Sequence, residues 1–145
     1  MRGKPLRVKR KQFWTVLFCL AVYLFTVLWF TVLKRTFRFD APRFEFLWSY
    51  RKWVAGDLRL GIQILENMAM FMPLGFLLSA LFDCDGFGSA EHRCLKIIVL
   101  SAAYSFFIEI LQLETMKGLF ELDDLLSNSV GAIAGICFYN LLKKL

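Results

Sequence analysis

Residues 13–33 form a run of 21 residues without a single charged side chain, bounded by Arg10 and Lys11 on one side and Lys34 and Arg35 on the other. As a helix rising 1.5 Å per residue, such a run crosses a hydrocarbon layer of about 30 Å. A cleaved signal peptide has a shorter apolar region that ends in a small-x-small site. Neither feature is present, so the segment reads as a retained membrane anchor. The rest of the chain agrees with it: 58% of the 145 residues are apolar and the mean hydropathy is +0.54, too greasy for an ordinary soluble domain. The composition implies an integral membrane protein.

Three further apolar segments follow, at about residues 60–82, 95–113 and 125–142. Each has the length of one helical crossing, tilted or not. The second is interrupted by Glu66, Asn67 and Pro73, and the third carries Lys96, Glu109 and Gln112. The expected fold is therefore all-α: a basic cytoplasmic N-terminus over residues 1–12, then one transmembrane domain over residues 13–145 containing a bundle of four helices. Gly86 and Gly88 mark a tight turn between the second and third crossings. Between the first and second lies an aromatic-rich stretch in which Phe37, Phe39, Phe44, Trp48 and Trp53 are mixed with Arg38, Arg43, Arg51 and Lys52. That mixture reads as an interfacial loop at headgroup level, with a flap over a binding site as the sharper alternative.

The net charge of +6 needs no nucleic-acid partner, because six Lys and Arg fall within the first eleven residues, beside a span. With the N-terminus cytoplasmic, four crossings return Lys143 and Lys144 to the same side. Cys19, Cys84, Cys94 and Cys137 form neither a C-x-x-C pair nor a ligand ladder, and His92 reads as an exposed turn residue. No metal site is read from them.

Crossing number alone gathers the polar residues on one membrane face. The second span starts where the third ends and the fourth begins, so Glu66 and Asn67, Glu109 and Gln112, and Asp124 and Asn128 occupy one leaflet. Glu109 and Gln112 are i,i+3 neighbours and Asp124 and Asn128 are i,i+4, so each pair shares a helix face. An ionisable group at the centre of a span costs roughly 2.5–3.5 kcal/mol on insertion scales, which makes these residues functional candidates. Asp123 or Asp124 suits the N-cap of the last helix. Gly131 and Gly135 form a small-residue strip for close helix approach, while Pro73 frees a carbonyl and Gly75 adds room beside it.

Three spaced blocks in this chain resemble the VanZ-like family of small bacterial membrane proteins. The first is an N-x-x-x-F-x-P-x-G-F pattern at Asn67, Phe71, Pro73, Gly75 and Phe76, and the second is E-x-x-Q at Glu109 and Gln112. A third resembles G-R-G-x-F-D-x-D-D-L-x-x-N-x-x-G, matched at Gly118, Phe120, Asp123, Asp124, Asn128 and Gly131, with Lys117 in place of Arg, Glu121 in place of Asp and Met116 in place of Gly. Together the blocks span roughly residues 60–140. The resemblance implies a multi-pass protein of the bacterial inner (cytoplasmic) membrane that acts at the cell envelope. The family is named for a protein linked to low-level resistance to the lipoglycopeptide teicoplanin, so the resemblance implies altered antibiotic access or an altered envelope component, and it does not imply an enzyme.

The candidate ligand-binding set is therefore Asn67, Glu109, Gln112, Lys117, Glu121, Asp123, Asp124 and Asn128. Its expected partners are membrane lipids, a lipid-linked envelope precursor or a lipoglycopeptide, with a second copy of the chain as a further partner. The acids suit a cationic group, or a divalent cation holding a phosphate. A catalytic alternative makes Glu109 a general acid or base and Asp124 its orienting partner, although no nucleophile elbow or buried His accompanies them. A small transporter and a structural subunit of a membrane complex are the remaining alternatives.

Overall fold

A computed structural model describes residues 6–36, 43–85, 90–118 and 120–145; the Gly86 and Gly88 turn, the first five residues, and Phe37, Arg38 and Phe39 lie outside the described residues. Helix α1 (Leu6–Leu28) runs on into a π-helical turn at Trp29–Leu33, followed by the short α2 (Trp48–Val54) and three long helices, α3 (Leu58–Asp85), α4 (Ala90–Glu114) and α5 (Leu122–Lys144). Four stretches are long and apolar enough to cross a membrane: Arg10–Leu33, Leu58–Cys84, His92–Glu114 and Leu122–Lys144. The expected spans lie inside these stretches, which extend past them by up to three residues. Polar groups such as Asp123 and Lys143 continue the helical hydrogen bonding beyond the apolar stretch. The chain is an all-α, multi-pass membrane protein.

Backbone contact joins α3 to α5. A Cβ added at Gly131 would collide with the Met68 carbonyl, one at Gly135 with the Met72 carbonyl, and one at Gly75 with the Ala132 carbonyl. The pairs 68–131 and 72–135 advance together, so the two helices run parallel, as second and fourth crossings must. Pro73 does not interrupt α3, which is continuous from Leu58 to Asp85. The expected break is absent because neighbouring helices hold the proline-containing turn in place. Around this seam lie Phe71, Leu74, Leu78, Ile97, Ile108 and Ile136, all buried.

Helix α1 is attached differently, through side chains that reach backbone carbonyls. The Tyr23 hydroxyl donates to the Met70 carbonyl. Tyr104 donates to Leu24 (2.6 Å) and Gln112 Nε2 to Thr31 (3.1 Å). Far from the polar cluster, Asp83 accepts from Arg93 (2.9 Å), Tyr139 (3.1 Å) and Lys143 (2.5 Å), tying α3, α4 and α5 together at their other ends.

The aromatic stretch is more than an interfacial loop. Its part from Trp48 to Val54 is helical, and Trp48 and Ser49 are buried. The Trp53 ring occupies the space that a side chain at Gly61 would fill, and Tyr50 Oη lies 2.8 Å from Ser127 Oγ. The first residue ahead of α2, Leu47, is left-handed (φ 59°) and supplies no side-chain cap. Asp123 of α5 does that work instead. Its carboxylate accepts from Leu47 N (2.6 Å), Ser49 N (2.8 Å) and Ser49 Oγ (2.6 Å).

Asp123 and Asp124 therefore do not cap α5 as expected: its N-cap is Glu121, in extended conformation and without a side-chain cap bond. Both aspartates lie inside the first turn, where their side chains have been recruited for other contacts. At the end of α4, Lys117 N donates to Gln112 O (2.9 Å) and Met116 N to Leu113 O (3.1 Å), with Met116 left-handed at φ 53°. This is a Schellman termination, in which the left-handed position ordinarily falls to glycine.

Candidate functional site

A cavity of about 210 Å³ opens between α1, α3, α4 and α5, inside the spanning segments and near one end of the bundle. Its polar lining contains Asn67 from α3, Glu109 and Gln112 from α4, and Asp124 and Asn128 from α5. These five were expected to meet at one depth, and they do. Glu66 joins them, and Phe30, Met70 and Ile108 supply apolar wall.

Four of the five side chains have an identifiable protein partner. Glu109 is 2% exposed, and its Oε2 accepts the Glu121 backbone N–H at 3.1 Å, one of the donors left open at the start of α5. Gln112, 4% exposed, spends its amide nitrogen on the Thr31 carbonyl of the π-helical turn. Asn128 Nδ2 donates to Ser105 Oγ at 2.7 Å, and both residues are buried. Asp124 is within hydrogen-bonding reach of Gln63. Two buried atoms of this set have no protein partner: Asn128 Oδ1, an acceptor, and Asn67 Nδ2, a donor. Buried polar atoms are otherwise almost always paired, so an open pair on one cavity points to something that fills it.

Three candidates stand elsewhere. Asp123 is 1% exposed and spends both carboxylate oxygens on α2, so it is a docking residue. Lys117 places Nζ 3.4 Å from the Leu33 carbonyl at the end of the π-helical turn and does not line the cavity. Glu121 serves through its backbone. Its side chain is 5% exposed with Oε2 unpaired, and burial pushes its carboxyl above the ordinary range, opposed by Arg43 and Arg35 and reinforced by Asp123. All three lie in or beside the α4–α5 connection, and none of their side chains lines the cavity.

Arg35 is the residue that sequence reasoning missed. It lines the cavity, and its charge acts on Glu109, Glu121 and Asp124. A side chain at Gly118 would meet Gln112 Oε1 and Arg35 Nη1, so that glycine makes room for the guanidinium beside the amide. In the sequence Arg35 is one more flanking charge after a span. The π-helical turn carries it to the site, since inserting one residue per turn shifts the register of everything after it. The turn also buries both Thr31 and Val32, adjacent residues that an undistorted α-helix would set about 100° apart.

Among the described residues, no group of three or more His, Cys, Asp or Glu side chains is arranged to hold a metal ion. No serine, cysteine or histidine is among the described residues lining the cavity. The polar groups that the lining presents are carboxylates, amides, one threonine hydroxyl and one guanidinium.

The VanZ/LLP1 family profile matches residues 13–143, nearly the whole chain. The chain belongs to the VanZ/LLP1 family. It is also similar to Protein VanZ of Enterococcus faecium, at 26% identity over 133 residues that cover 86% of this chain and 73% of that protein. No solved structure matches it. Within this VanZ-like chain the three sequence blocks divide by task. Gly75 and Gly131 set the α3–α5 seam, Asn67, Glu109, Gln112, Asp124 and Asn128 line the cavity, and Asp123 anchors α2.

Proposed function

We propose that this VanZ-like protein acts at the bacterial cell envelope, in the cytoplasmic membrane, by binding the polar headgroup of an amphiphilic envelope component, and that tolerance of a teicoplanin-type lipoglycopeptide follows from that binding. The observation that carries the reading is the cavity itself. Five polar side chains from three helices converge inside the spanning segments, with an amide donor and an amide acceptor left unpaired. A group exposed to lipid there would be penalised, so the set is retained for a polar ligand. The tail of an amphiphile also has a place to lie. Phe25, Thr26, Trp29 and Phe30 line a groove of about 320 Å³ on the outside of α1, and Phe30 belongs to both the groove and the cavity.

In this reading both termini are cytoplasmic and the cavity faces the outer leaflet. An impermeant thiol reagent on intact cells, in a background lacking the native cysteines, should label a cysteine at Lys117 and spare one at Lys144. The functional test is lipoglycopeptide susceptibility in a strain that depends on this gene, with membrane protein levels matched. Glu109→Gln and Asp124→Asn change charge at nearly constant volume, so each should abolish tolerance while leaving expression unchanged. Combining them should add little, because residues acting as a unit are non-additive. Full tolerance in both single variants would leave these residues as helix glue.

A further inference from the structure

The charges on the cavity wall are unbalanced. Three carboxylates, Glu66, Glu109 and Asp124, face one guanidinium, Arg35. Arg35 and Glu66 are exposed, whereas Glu109 is 2% exposed, so the deep end is acidic and the cation lies toward the outside. Two amides lie as deep, Gln112 and Asn128, each 4% exposed with its nitrogen donating, to Thr31 and to Ser105, and the Asn128 oxygen is left open. An anion entering this cavity would meet acids and a bare amide oxygen. A group with several N–H donors and a positive charge would satisfy both.

Resting on the amphiphile reading above, we propose that the cavity selects headgroups bearing a primary ammonium. A –NH3⁺ group has three donors and no acceptor. It can therefore divide its bonds between Asp124 or Glu109 and Asn128 Oδ1, while an oxygen of the same headgroup accepts from Asn67 Nδ2. A quaternary trimethylammonium carries the charge but no N–H, and a glycerol headgroup carries donors but no charge. Each would leave part of the lining unsatisfied. Buried charges without a partner are the costlier failure, so an anionic lipid ranks last.

The test uses three phospholipids with the same acyl chains: phosphatidylethanolamine, phosphatidylcholine and phosphatidylglycerol. The full-length protein, reconstituted in nanodiscs containing equal parts of the three, is released gently and its retained lipids are counted by native mass spectrometry. Wild type should retain phosphatidylethanolamine over each of the others by about tenfold or more, the size expected when a charge-assisted hydrogen bond is at stake. Asp124→Asn should reduce that preference severalfold. Glu66→Gln, at an exposed position that cannot disturb packing, should reduce it in the same direction. Equal retention of the three lipids by wild type, with all of them lost on Phe30→Ala, would overturn the ammonium assignment and leave the amphiphile reading standing. An unchanged preference in both acid variants would also overturn the assignment. Absence of any retained lipid that responds to Phe30→Ala, Glu109→Gln or Asp124→Asn would remove the amphiphile reading and this inference with it.

Discussion

Replacing Asp123 by alanine separates two accounts of one carboxylate. If Asp123 merely complemented the dipole at the start of α5, its loss would cost about 0.3–1 kcal/mol, spread along that helix. Its observed partners predict something larger and confined to α2. The variant strands two backbone donors, Leu47 N and Ser49 N, and removes the partner of the Ser49 hydroxyl. Ser49 is 4% exposed, so water cannot easily substitute. At about 1–3 kcal/mol for each buried donor left unsatisfied, the two Ser49 donors put the loss at about 2–6 kcal/mol. Helix α2 has little of its own to set against this. Isolated helices shorter than about 12 residues are marginal in water, α2 has seven residues, and left-handed Leu47 adds a penalty of about 1–2 kcal/mol. The segment should therefore undock while the bundle stays folded. Hydrogen exchange followed by mass spectrometry in detergent measures this directly. Peptides covering Trp48–Val54 should exchange at least about 30-fold faster in Asp123→Ala, since 1.4 kcal/mol is a factor of ten. Peptides covering the α3–α5 seam should be unchanged. Unaltered exchange in α2 would refute the reasoning, and so would acceleration spread evenly over α2 and the seam.

Other expectations follow from the same geometry. Met116→Gly should stabilise the protein by about 1 kcal/mol, because the 52%-exposed Met116 side chain gives up little burial and glycine removes the left-handed penalty; a lowered thermal midpoint in detergent would count against it. Gly131→Leu should disrupt the fold far more than Leu141→Ala, since the first drives a side chain into the Met68 backbone and the second trims a residue that is 58% exposed; equal midpoints would contradict the seam. Glu121 holds its proton more tightly when folded, so stability should fall as pH rises from the ordinary carboxylate range through its raised value. Glu121→Gln should remove that slope, and an unchanged pH profile would argue that the side chain is not buried as described.

How much of this could be read from the residues depends on whether the cause was local. Four crossings follow from apolar length, and one-leaflet clustering follows from crossing number, so the meeting of Asn67, Glu109, Gln112, Asp124 and Asn128 needed no tertiary knowledge. The Gly131 and Gly135 spacing likewise announced a helix contact, although not that its partner would be the Met68–Met72 backbone. What escaped depends on long-range register. Nothing local tells Asp123 from Asp124, yet one step of about 100° around the helix sends the first to α2 and the second to the cavity. Trp48 and Ser49 read as interfacial because burial against α3 and α5 is a property of the assembled bundle. Arg35 was hidden for a similar reason, since a π-helical turn in an apolar run leaves no signature in composition. Met116 shows the converse: the glycine of the family pattern is explained by a left-handed cap, which the methionine of this chain fills under strain.

The four walls of the cavity also differ in stiffness, and this bears on how an amphiphile would enter. The α3–α5 wall is backbone against backbone at three glycines, where a shift of even a fraction of an ångström has no side chain to absorb it. Helix α4 is coupled to that wall through Asn128 and Ser105 and through Glu109 and the Glu121 backbone. Helix α1 and its π-helical turn pack Leu20, Val27 and Val32 into the core and are joined by hydroxyl and amide side chains that reach single carbonyls: Tyr23 to Met70, Tyr104 to Leu24, and Gln112 to Thr31. The π-helical turn lies at the height of the cavity, and Phe30 at that level lines both the cavity and the outer groove. If the proposed amphiphile reading holds, a lipid moving within one leaflet would lay its tail against Phe25 and Trp29 and meet Phe30 at the cavity edge, and the other three helices would supply the polar groups that contact its headgroup.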